Sequence, residues 1–187
     1  MEALARKPTH YDPDAELVAA AQRDPRQFLA LYERHFPRVH RYVRLRVHHQ
    51  QAAEDITSKI FLTALDRIQR YRAEGCFGAW LFRIAQNEVQ DSFKSRTEGP
   101  AEREALDALP DRDPGPESQA LSGERFAALG RLLRTLGPDQ QHLLALRFGT
   151  DLSAGEIGVI VGKSPEAVRV YLHRTIKELR LRYEDER

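Results

Sequence analysis

The chain has 187 residues, with 29 lysines and arginines, 28 aspartates and glutamates, and 41% apolar residues. That is enough for one or two small domains with a real core. Its single cysteine, Cys76, excludes a disulfide within the chain and a cysteine zinc cluster. A net charge of +1 is small for a protein that would hold DNA by phosphate contacts alone, so any DNA binding would be shared with a partner.

Strand signals are nearly absent and helical periodicity is nearly everywhere. Asp14 to Arg23 reads as a first helix. Pro25 starts a second, with Phe28, Leu31 and Tyr32 on one face. Pro37 is expected to kink or interrupt it, because proline removes a backbone donor. Val39, Tyr42, Val43 and Val47 resume the apolar stripe. Gln51 to Ile68 reads as a third helix with Ile56, Ile60, Phe61 and Leu65 inward, Gln69 to Gly78 as a loop, and Ala79 to Lys94 as a fourth helix. Aromatic and basic residues interleave around that loop: Tyr71, Arg72, Phe77, Trp80, Arg83 and Lys94. Such interleaving suits unpaired DNA, where rings stack on bases and cations meet phosphates. Phe77 and Trp80 also sit at core spacing, so packing competes with that reading.

Residues 95–119 hold four prolines, two glycines and a net charge of −4, against +3 before them and +2 after. This composition packs no core and reads as a linker, with a short helical patch around Glu102 to Leu109. Ala120 to Thr135 and Pro138 to Phe148 follow as helices. Leu152 to Leu181 then reads as two helices joined by a tight turn. Ser153 with Glu156 forms a capping box. Ile157, Ile160 and Val161 face inward, Gly158 leaves room for the next helix, and Gly162 supplies the turn. Ser164 and Pro165 start the second helix, which is expected to bury Val168, Leu172, Ile176 and Leu179. Lys163 to Arg182 carries +4. Caps, turn and charge agree on a helix-turn-helix that reads DNA. Lys163 stands where such motifs often place an apolar residue.

No stretch approaches ~18 consecutive apolar residues, and the N-terminal MEALARKPTHYDPDAE lacks the apolar run of a signal peptide. A cytoplasmic protein without membrane insertion is expected. The seven histidines are scattered apart from the adjacent His48 and His49, so no metal or cofactor is expected. No nucleophile–base set or phosphate loop suggests an enzyme or a small-molecule substrate.

Three stretches resemble the extracytoplasmic-function group of bacterial RNA polymerase sigma factors. AEDITSKIFLTAL (residues 53–65) resembles the core-binding helix of sigma region 2. FGAWLFRIAQNEVQDSFKSR resembles the promoter-melting segment, matching at Phe77, Trp80, Leu81, Ile84, Ala85, Asn87 and Asp91. LGPDQQHLLALRF with the helix-turn-helix resembles region 4. The resemblance implies an all-α fold of two helical domains, residues 14–94 and 118–184, joined by a flexible acidic linker, 95–117. It implies a non-enzymatic factor that binds the clamp and flap of core RNA polymerase, recognises the −10 and −35 promoter elements and aids strand opening. An anti-sigma factor is a further partner that the group commonly uses.

The site residues follow from the same resemblance. Those facing the −35 element are Glu166, Arg169, Val170, His173, Arg174 and Lys177, with the two arginines foremost. Those facing the −10 element are Tyr71, Arg72, Phe77, Arg83, Asn87 and Lys94, around a loop at about Asp66 to Phe77 that would trap an extruded base. Those facing the polymerase are Asp55, Ile56, Ser58, Lys59 and Phe61. In the family the linker threads toward the polymerase active centre and RNA exit path, which suits its acidic charge; a plain tether is the other reading.

One departure matters. The family usually has a Gln–Glu or Gln–Asp pair after the Asp of its core-binding helix; here Asp55 is followed by Ile56 and Thr57, then Ser58 and Lys59, so a Lys replaces an expected acid. A charge reversal at a polymerase contact weakens binding, and Lys59→Glu is expected to strengthen it. A second reading is therefore an interaction protein of sigma-like fold that binds an anti-sigma factor without productive core binding. A dimeric repressor would leave the first domain unexplained.

Overall fold

The computed structural model describes residues 12–47, 49–72, 75–97 and 129–185, with the side chains of 95–97 excepted. The helical patch expected around Glu102 to Leu109 and most of the linker lie outside these residues. Every regular element described is helical: α1 Ala15–Arg23, α2 Phe28–Arg46, α3 Gln50–Arg67, α4 Phe77–Thr97, α5 over residues 129–134, α6 Pro138–Gly149, α7 Ala154–Val161 and α8 Pro165–Asp185. Two short 3-10 turns, Pro25–Gln27 and Ile68–Arg70, precede α2 and follow α3.

The first four helices pack α1 on α2, α2 on α3 and α3 on α4. Asp24 closes the first 3-10 turn by accepting from the Arg26 amide at 3.0 Å, with Pro25 at its first position. In α2, Phe28, Leu31, His35, Val39, Tyr42, Val43 and Arg46 are buried, a stripe at three- and four-residue spacing. The helix runs unbroken through Pro37. The expected interruption does not occur: proline frees the carbonyl four residues back, on Glu33, and both residues are exposed, so water takes the lost bond. The helix α4 begins at Phe77, so Gly78 belongs to it and not to the preceding loop. Gln22 of α1 pins that loop by donating to the carbonyls of Ile68 and Tyr71, each at 2.9 Å.

In the C-terminal half, Pro138 starts α6 and the Gln140 side chain accepts from the Gly137 amide at 3.0 Å. The Ser153–Glu156 capping box is formed in both directions, at 2.8 and 3.2 Å. Gly162 ends α7 in the left-handed conformation at φ 69°, which favours glycine. A Cβ on Gly158 would lie 2.5 Å from the Lys163 carbonyl oxygen, so the turn backbone, even more than the next helix, requires glycine there. Ser164 caps α8 through the Ala167 amide at 3.1 Å. Val168, Leu172 and Thr175 are buried with Leu179 packed beside them, while Ile176 is 41% exposed. The inward stripe thus advances by three at Thr175; Ile176 lies about 100° further round the helix.

The two halves share one core. The helix α2 packs on α6, and α4 packs on α7. Gly149, at the end of α6, is so close to α2 that a Cβ would lie 3.2 Å from the Tyr42 Cα.

Candidate nucleic-acid interface

The recognition surface begins with α8. Glu166, Arg169, Val170, His173, Arg174 and Lys177 are all exposed. At about 100° per residue they fall within an arc of about 140°, opposite Val168, Leu172 and Thr175. Six side chains facing away from the core on a capped, tightly turned helix make a surface that fits a major groove. Glu166 lies in the first turn. Its own backbone amide, then the Ser164 hydroxyl and Arg169, hold its carboxyl below the usual range. An ionised acid there is an acceptor for a cytosine amino group. Arg169 donates to Glu166 at 3.4 Å, which orients it and shields part of its charge. Arg174 and Lys177 form no ion pair among the described residues. Val170, 50% exposed, offers methyl groups of the kind that meet thymine. Arg182 is bound to Glu178 and Thr135, off this face.

The first half presents a second face on α4. Arg83, Asn87 and Lys94 are exposed on one side of the helix. Asn87, Gln90, Asp91 and Lys94 join Arg67 and Glu88 in lining a polar concavity of about 210 Å³. Arg72 is exposed at the loop. Tyr71 and Phe77 are different: both are buried, Phe77 completely. Their rings lie 5.8 Å apart, and Trp80 packs against them in a tilted arrangement at 5.0 and 5.4 Å. The Tyr71 hydroxyl donates to the Gly75 carbonyl at 3.0 Å, and burial, the chief cause, pushes its pKa well above the usual value. Here they correct the expectation of stacking faces. They fasten the loop to α4, because their spacing serves the core.

The polymerase-facing candidates divide the same way. Asp55, Ser58 and Lys59 are exposed on α3, whereas Ile56 and Phe61 are buried. Phe61 packs against Tyr32, with ring centroids 4.7 Å apart. These two are core residues, not contacts. Sequence reasoning missed Leu62, which is 65% exposed on the same side as Asp55 and Ser58. Its signal was available: it stands seven residues after Asp55 and four after Ser58, hence on one helical face. Lys59 bridges to Glu88 of α4 at 2.8 Å, and that hydrogen bond raises its pKa. Glu88 also accepts from Thr63 at 3.2 Å. The charge reversal on α3 is therefore answered inside the chain.

Among the described residues no three His, Cys, Asp or Glu side chains gather as a metal site, and no helix is long and apolar enough to cross a membrane.

Residues 31–98 match the family model of Sigma-70 region 2, and residues 132–181 match that of Sigma-70 region 4. The ECF RNA polymerase sigma factor SigD of Mycobacterium tuberculosis is 32% identical over 175 residues, covering 89% of this chain and 82% of SigD. The chain belongs to the ECF RNA polymerase sigma factors. The sigma factor BldN of Streptomyces coelicolor is 39% identical over 172 residues. That match covers 88% of this chain but 63% of BldN. The structure of CnrH in complex with the cytosolic domain of CnrY shares the fold, with a TM-score of 0.71 at 21% identity, covering 94% of this chain and all of that one. Sigma factors are transcription initiation factors and not enzymes. The matched residues thus place region 2 on α2–α4 and region 4 mostly on α6–α8.

Proposed function

We propose that this sigma factor docks on core RNA polymerase through the exposed face of α3, bearing Asp55, Ser58, Lys59 and Leu62, and directs it to promoters. The arrangement works as two units, residues 14–94 and 118–184, on either side of the acidic segment 95–117. The first unit would meet the −10 element through Arg72, Arg83, Asn87 and Lys94, with Tyr71 and Phe77 holding the loop from behind. The second would lay Glu166, Arg169, Val170, His173, Arg174 and Lys177 into the −35 major groove. The cytoplasm, where polymerase works, is its place of action. An anti-sigma factor is a further partner, since the sigma factor RpoE of Bartonella quintana, similar in fold, was captured with the anti-sigma factor NepR.

The observation that carries this reading is the α8 surface: six exposed side chains opposite a buried stripe, on a helix whose entry is fixed by two caps and a left-handed glycine. Run-off transcription with core polymerase on a promoter library tests it. Promoter-dependent transcripts are expected. No such transcript, together with tight binding to an anti-sigma protein, favours the interaction-protein reading. The Lys59–Glu88 bridge weighs against that alternative, because it removes the unanswered charge on which it rested.

A further inference from the structure

The contact between regions 2 and 4 carries more than packing. On α2, Tyr42 is fully buried and its hydroxyl lies 2.9 Å from His142 Nδ1 of α6. Arg46, also buried, donates to the Pro138 carbonyl at 3.2 Å. Arg41 donates to the Gly149 carbonyl at 2.7 Å, and Arg38 and Arg41 approach Asp151 at 3.6 and 3.9 Å. At the second contact, Cys76 beside α4 donates to Glu156 of α7 at 3.4 Å.

We infer that regions 2 and 4 form a closed state latched across α2 and α6 by the Tyr42–His142 pair, and that protonation of His142 releases the latch. Among the described residues, His142 Nε2 is buried without a hydrogen-bond partner. An imidazolium carries a proton on both nitrogens, so Nδ1 could no longer accept from the Tyr42 hydroxyl, the Nε2 proton would find no acceptor, and the added charge would sit in a site that already holds a guanidinium. The groups acting on His142 are Tyr42 and Arg46 of α2 and Asp139 of its own helix. From α7 and α8, which also pack on α6, Glu156 is bonded to Cys76 and Glu178 to Gln140 and Arg182. Burial first, then Arg46, pull the His142 pKa down to about 4.

The sign follows. The closed state binds fewer protons than the open one, whose histidine titrates near the ordinary ~6.5. Closure is therefore fully favoured above that value and weakens as pH falls from ~6.5 toward ~4. Between pH 7.5 and 5.5 the open-to-closed ratio rises about tenfold.

The consequence for promoters rests on the functional reading above. Elements named −10 and −35 lie about 25 base pairs apart, or about 85 Å at ~3.4 Å per pair. A compact chain of this length is only about 40 Å across. The closed state cannot engage both, so promoter binding requires the latch to open.

Cys76, the sole cysteine, reports opening because it is buried at the seam. The full chain is reacted with 4,4′-dithiodipyridine from pH 7.5 to 5.5. Each rate is divided by that of a short peptide carrying the same cysteine at the same pH. The quotient should rise about tenfold in the native protein and stay flat in His142→Gln, which bonds but does not titrate there. Tyr42→Phe should raise the quotient about fivefold at pH 7.5, by loss of one buried hydrogen bond. A weak urea dependence is expected, since opening exposes little surface compared with unfolding. A flat native profile, an equal rise in His142→Gln, no response to Tyr42→Phe or a urea slope equal to that of unfolding would each overturn the latch. None of these outcomes touches the promoter reading, and a failed run-off assay leaves the latch standing.

Discussion

Alanine at Gly158 and alanine at Gly155 should act in opposite directions, although both lie on α7 three residues apart. At Gly158 the new Cβ would be 2.5 Å from the Lys163 carbonyl oxygen and 3.6 Å from the Pro165 nitrogen. Both neighbours are backbone, so the turn itself must move. That turn is also held by the Lys163 amide, which donates to the Gly158 carbonyl at 2.9 Å. Overpacking of this kind costs up to about 3 kcal/mol, and the helix propensity of alanine returns about 1 kcal/mol. The net loss is about 2 kcal/mol, or a fall of about 4–8 °C in Tm for a chain of this size. At Gly155 the Cβ would lie 3.7 Å from the Ser153 hydroxyl, an ordinary contact, so the propensity gain stands nearly alone. Gly155→Ala should raise Tm by about 1–4 °C. Thermal denaturation of both variants checks the signs. Binding to −35 duplex at a temperature where both are folded checks the consequence, because only Gly158→Ala tilts α8. Equal signs for the two variants, or a Gly158→Ala protein with native stability and DNA affinity, would refute the account of the turn.

Other outcomes are expected. Arg174→Ala should weaken promoter binding about tenfold to a hundredfold with core binding unchanged. Arg169→Ala should weaken it less, since Glu166 already shields that side chain, and equal loss of core binding would misplace the DNA face. Lys59→Glu alone sets acid against Glu88. Its core affinity should fall below that of Lys59→Glu with Glu88→Lys, which rebuilds the bridge reversed, and a polymerase titration giving equal affinities would make the bridge irrelevant. Asp14 is bound to His35 at 2.8 Å and Arg34 at 3.1 Å. Burial pushes its carboxyl up, but His35, Arg34 and Arg38 together outweigh burial and lower it. Its stabilisation is full above the unfolded value of ~3.9 and is lost as pH falls through the lower folded one. Asp14→Asn should cost about 2 kcal/mol at neutral pH and flatten acid unfolding below pH ~4, read by urea titration.

Much of region 4 was legible because its signals are local. Ser153, Glu156, Gly162, Ser164 and Pro165 each act within four residues, and all of them do what their chemistry dictates. Region 2 was harder for one physical reason. Its aromatic residues have the right chemistry for DNA and the right spacing for a core, and chemistry alone does not choose. Tyr71, Phe77 and Phe61 went inward because burying a ring against other rings stabilises more than leaving it in water. Leu62, equally apolar, stayed outside because its helical position faces away from α2 and α4. The Tyr42–His142 bond was not legible: the two residues are 100 positions apart, and no local rule links them.

The seam between the regions is mixed. Its apolar part continues the shared core, with Gly149 close to Leu45 and Leu152 close to Gly78. Beside it, α2 presents Arg38, Arg41, Tyr42 and Arg46 toward α6 and the segment after it, and meets carbonyls, Asp151 and a histidine. Each such bond contributes little net, because water replaces it on opening. Interfaces between domains that separate share this polar character. The same property makes the contact specific, since a buried tyrosine hydroxyl and a buried guanidinium tolerate only a docking that satisfies them. On the latch proposed above, separation of the two regions therefore meets a modest and definite resistance. That resistance is concentrated in a few side chains of α2 and α6, away from the DNA-facing surface of α8.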